Sequence, residues 1–147
     1  MTLLLLPGGL NERVIKSLKE TDLWSNTVEP LIISRSERDA GPVRVLLCYD
    51  GFGEGAERDE TWTITFLAAL LDKEIYVRKF TFRDDDIMMN SAWLNICDVF
   101  YLAGGTEKDI TAMFVEFQPQ LQVLRDLIFS GSVCFIGGCG GAMAAGH

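Results

Sequence analysis

The sequence predicts an α/β fold: a mostly parallel, doubly wound sheet in a three-layer α/β/α arrangement. Three observations predict it. Short apolar runs recur along the chain and alternate with amphipathic segments, the order that parallel sheets with crossover helices require. The run "VRVLLCYD" (43–50) is almost continuously apolar, the pattern of a strand covered on both faces. Three runs end in paired glycines, Gly8-Gly9, Gly104-Gly105 and Gly137-Gly138, where a strand must turn sharply into the next segment. At 147 residues, with no repeat and no dividing linker, residues 1–147 make one domain.

Each element has its own reason. "TLLLL" (2–6) is a short buried strand that stops at Pro7-Gly8-Gly9. "NERVIKSLKE" is helical: Val14, Ile15 and Leu18 share a face and Asn11 is placed to cap it. "EPLIIS" (29–34) reads as a short strand. "GFGEGAERDE" is a glycine-rich loop entering a helix whose start is favoured by Glu57, Asp59 and Glu60 and whose apolar side is Phe66, Leu67, Leu70 and Leu71. "EIYVRKF" (74–80) alternates, as a strand near a sheet edge does. "DDDIMMNSAWLNI" (84–96) is the next helix and "CDVFYLAGG" (97–105) the next strand. "TEKDITAMFVEF" (106–117) is a helix opened by Thr106; after it Pro119 restarts a helix from a first-turn position, and Gly131 ends it. "SVCFIGG" (132–138) is the last strand.

Composition excludes several functions. Acidic residues outnumber basic ones, 21 to 13, and a net charge of -8 opposes binding to nucleic-acid phosphates. The triplet Asp84 to Asp86 is a solvated helix start. The first residues lack a basic n-region and break at Pro7, so they are no secretion signal, and no run approaches the roughly 18 apolar residues of a membrane helix. Cys48, Cys97, Cys134 and Cys139 form no CxxC pair, which fits reduced thiols in the cytoplasm. No metal is expected, since the single histidine is His147, and no cofactor either. The dinucleotide pattern fails at Met143, and no Lys-Ser/Thr follows for a Walker loop. Among the acids, Asp50 ends a strand on the ligand side, whereas Asp98 precedes one and is structural. Trp24, Trp62 and Trp93 lie on helical segments as core or interface residues.

The strongest chemical signal is "CFIGGCGGAMAAGH" (134–147). Gly137, Gly138, Gly140, Gly141 and Ala142 leave room around Cys139, and "SVCFI" leads straight into it. G-x-[nucleophile]-x-G seats a nucleophile in a tight turn between strand and helix. The free N–H groups of the helix start lower a thiol pKa and hold an oxyanion. The competing reading is a small core cysteine in a glycine turn.

The succession "RVLLCYD", "DETWTITFLAAL", "CDVFYLAGGT" and "SVCFIGGCGGA" resembles the aspartyl dipeptidase (peptidase E) and cyanophycinase family, within the class I glutamine amidotransferase-like fold. The resemblance implies that Cys139 stands at the position of the family's serine nucleophile in G-x-S-A-G-A, with Ala142 at its closing alanine. It makes Gly104 and Gly105 the glycine turn beside the active site, with Thr106 in place of asparagine, and makes the backbone around Gly138 and Gly140 part of the oxyanion hole. It also places the catalytic histidine and acid after the nucleophile. His147 lies eight residues past Cys139, about 12 Å along a helix, beyond the roughly 3 Å a base can reach. The expectation is a C-terminally truncated chain, the N-terminal part of a larger domain up to the nucleophile elbow.

Two functions compete. One is a peptidase E-like hydrolase, transferring the acyl group of a short peptide or amide substrate to Cys139. The other is a catalytically inactive relative serving as a structural or interaction subunit of a larger assembly, its C-terminal end covered by a second copy or a partner chain. A nucleotide-binding module is the weakest alternative.

Overall fold

The computed structural model describes residues 2–6, 11–38, 41–48, 56–80, 96–102, 111–112, 115–116 and 118–138. Five strands form one sheet: β1 (Thr2–Leu6), β2 (Val43–Cys48), β3 (Ile75–Phe80), β4 (Val99–Leu102) and β5 (Cys134–Gly138). Their order is β1-β5-β4-β2-β3, and every neighbouring pair is parallel. The expected α/β class therefore holds, and among the described residues the sheet is wholly rather than mostly parallel. The described helices are α1 (Glu12–Lys19), α2 (Glu29–Arg38), α3 (Ala56–Leu71) and α4 (Gln118–Phe129), with a π-helical turn at Trp24–Val28 running into α2.

The chain winds in two directions. It passes from β1 across to β2 and out to β3, then returns to β4 and β5. Because parallel crossovers are right-handed, outward connections cover one face and returning ones the other. On the first face Val43, Val45 and Leu47 of β2 join Val99, Tyr101, Cys134 and Ile136 in one cluster with Ile15, Trp24, Val28, Ile32, Leu67, Leu70 and Leu71. The alternate residues Leu46, Cys48, Phe100, Leu102 and Phe135 are buried as well, and the Phe100 and Phe135 rings stack at 6.2 Å. Successive strand side chains point to opposite faces, so both faces of the sheet are covered. This is why β2 reads as an almost continuous apolar run.

Local signals set the helix ends. The N–H of Val14 donates to Asn11 Oδ1 at 3.0 Å, the expected cap of α1. Leu67, Leu70 and Leu71 of α3 are buried and Phe66 packs against them, as the spacing predicted. Pro119 stands in the first turn of α4, where its missing N–H costs no helical bond. The α4 helix closes with paired bonds: Ser132 N–H donates to Leu127 O at 2.9 Å and Gly131 N–H to Ile128 O at 3.1 Å. Gly131 has φ +78, and a Cβ added there would meet nothing within 4 Å. Gly131→Ala should thus cost about 1 kcal/mol through backbone strain alone, read as a lower urea midpoint with unchanged slope.

One expected element is corrected. "EPLIIS" is not a strand; it opens α2. Trp24, Val28 and Ile32 recur every four residues on the buried side while Leu31 is exposed. That spacing belongs to a helix, and it is visible only if the window begins before Glu29. The expected strand β1 is confirmed as a strand, but at the outer end of the sheet order. The alternating β3 ends the other side, with Tyr76 exposed. Of the helix expected over 84–96, only Ile96 is among the described residues.

Candidate functional site

All five strands point the same way, so their carboxyl ends meet at one edge. The register aligns Leu6 with Gly138, Leu102 with Gly137, Cys48 with Leu102, and Cys48 with Phe80. β5 runs between β1 and β4, an interior position. Phe135, Ile136 and Gly137 are buried along it. Gly138 is its last residue, paired with Leu6. Neighbouring β4 ends at Leu102.

The chain leaves β2 toward α3 and leaves β4 toward α4, in opposite winding directions. Adjacent strands whose connections depart to opposite faces open a crevice beyond their carboxyl ends, where α/β proteins take ligands.

Of the expected site residues, Gly138 is placed: it ends β5 at this edge. Cys139, Gly140, Gly104, Gly105 and Thr106 lie outside the described residues, as do Asp50, His147 and Gly8-Gly9. In sequence, Cys139 follows Gly138 directly and Gly104 is two residues past Leu102.

The other three cysteines are buried thiols. Burial in apolar surroundings pushes the Cys134 thiol up to about 12. A thiol in that state is a packing group, not a nucleophile. Among the described residues no three His, Cys, Asp or Glu side chains gather as a metal-ligand group, and no described helix is long and apolar enough to cross a membrane.

Asp98 sits at the opposite, amino edge and is 2 % exposed. Its Oδ2 accepts from Arg44 N–H at 2.8 Å, its N–H donates to Arg44 O at 2.8 Å, and its carbonyl accepts from Cys134 N–H at 3.0 Å. It stitches β2, β4 and β5 together where they begin, as its place before a strand implied. Asp98→Ala should leave the Arg44 N–H without that acceptor and cost about 2 kcal/mol. Asp98→Asn should lose less, because an amide oxygen still accepts; chemical denaturation of both variants checks the order.

A groove that sequence reasoning missed lies between α1 and α3. It has a volume of about 480 Å³ and is bordered by Glu12, Ile15, Lys16, Lys19, Thr65 and Phe66. No sequence signal could have found it, because it arises from the packing of two helices distant in sequence. Its lining contains no cysteine, serine or histidine.

The described residues define an α/β protein with a parallel sheet. Compared with known proteins, the chain matches no family model and no curated protein.

Proposed function

We propose that the protein is a peptidase E-like hydrolase that uses Cys139 as nucleophile on a short peptide or amide. The observation that carries this reading is the position of β5. It is an interior parallel strand, and its last residue, Gly138, hands the chain to Cys139 at the carboxyl edge, beside the end of β4 that leads to Gly104-Gly105-Thr106. A nucleophile elbow requires such a strand end, and an oxyanion turn requires the neighbouring one. The resemblance to the peptidase E and cyanophycinase family, within the class I glutamine amidotransferase-like fold, supplies the residue roles.

In that reaction the Cys139 thiolate attacks the carbonyl carbon, the oxyanion rests on backbone N–H groups about Gly140 and Gly104-Gly105, and the amine leaves with a proton. Water then hydrolyses the thioester. The second reading is an inactive relative acting as an interaction subunit.

Alkylation kinetics joined to a dipeptide and glutamine hydrolysis screen test both. Fast modification at Cys139 with hydrolysis abolished in Cys139→Ala supports the hydrolase. Fast modification without turnover supports the inactive relative, and uniform slow modification of all four cysteines removes the nucleophile from either account.

A further inference from the structure

The helical segment before β2 contains one residue more than an α-helix can hold, and we infer that this residue is a phase adaptor that seats Trp24 and Ile32 on one line against the sheet. The two side chains are both 2 % exposed and share a core cluster, with Val28 between them. They are eight residues apart. At about 100° per residue, an unbroken α-helix would rotate Ile32 by about 80° from Trp24 and carry one of them off the sheet. The Trp24–Val28 turn is π-helical: Glu29 N–H donates to Trp24 O, five residues back. A π-turn absorbs one extra residue, so the effective spacing is seven and the offset falls to about 20°.

The surroundings fit an insertion held in place. Ser25, Asn26 and Thr27 are exposed, so the widened side of the turn faces solvent. Trp24 N–H donates to Thr21 Oγ1 at 3.2 Å, and Trp24 Nε1 donates to Glu29 Oε2 at 2.7 Å. The indole thus bridges both ends of the wide turn and fixes its register.

The test is a pair of variants of the full chain, one deleting Asn26 and one inserting Ala between Asn26 and Thr27. The deletion restores seven-residue spacing in a plain α-helix and leaves Trp24 and Glu29 four apart, a separation their side chains span. Made together with Pro30→Ala, so that no proline ring meets the carbonyl four residues back in the plain helix, and compared with Pro30→Ala alone, it should fold with Tm unchanged or raised and keep the Trp24 indole N–H protected from exchange, the signal being identified by its loss in Trp24→Phe. The insertion raises the effective spacing from seven to eight and swings Ile32 about 80° from Trp24, and should lower Tm by about 10 °C or more and expose the indole. A deletion that destabilises as much as the insertion, or that deprotects the indole, overturns the inference.

Discussion

Treated with iodoacetamide at pH 7 in its folded state, the protein should be alkylated at Cys139 about a thousandfold faster than at Cys134. The contrast follows from thiolate populations. With its thiol pushed up to about 12, Cys134 is ionised in about one molecule in 10⁵ at that pH. An ordinary exposed thiol is ionised at the level of a few per cent, and one at a helix start more so. Cys48 and Cys97 are buried with no exposed surface, so reagent reaches them only on unfolding. Peptide mapping after timed quenching gives each site's rate. Cys139→Ala should abolish the fast phase and leave the slow one unchanged. If the four rates agree within a few-fold, Cys139 is no activated nucleophile and the hydrolase reading fails.

The second large effect is an alkaline loss of stability centred on Cys134. Below pH 9 this thiol is neutral both folded and unfolded, so its ionisation contributes nothing to the pH dependence. Above 9.0 the unfolded chain releases the proton, while the folded chain holds it to about 12. The folded state then binds more protons, and stability falls as pH rises through that window. The shift corresponds to about 4 kcal/mol once pH reaches 12. Cys134→Ala loses about 1 kcal/mol of packing at neutral pH but has no thiol to ionise. The two stability curves should cross near about pH 10, with the variant the more stable above it. Tyrosine and lysine titrations are common to both proteins and cancel in the difference. Parallel curves from pH 8 to 11 would show that burial does not hold this proton.

Both expectations depend on where one strand lies. Cys134 opens β5 and Cys139 follows its end, five residues apart in one short stretch. The strand's interior position explains why the Cys134 thiol is sealed: a residue at its start is enclosed by neighbours on both sides and by helices above.

The sequence by itself determined the alternation of strands and helices, because apolar periodicity and glycine or proline punctuation are local properties. Asn11 capping α1, Pro119 opening α4 and Gly131 closing it depend on neighbours within a few residues, and all three were legible. The strand character of β2 and β5 was equally legible from their apolar runs. The reading of "EPLIIS" failed because its short window hid a period that begins at Trp24, and because tertiary burial of Trp24, Val28 and Ile32 outweighs the β preference of adjacent isoleucines. The identity of the site stayed partly illegible for a related reason: Cys139 stands out by its glycines, but a base or acid partner is defined by spatial proximity, not by spacing. Only the tertiary structure decided that β5 lies between β1 and β4, that Asp98 ties three strands at the far edge, and that Cys134 is sealed from solvent. Strand order is set by which long-range pairings bury both faces of the sheet, and those pairings join residues up to 132 positions apart, as in Thr2 with Cys134, beyond the reach of any local pattern.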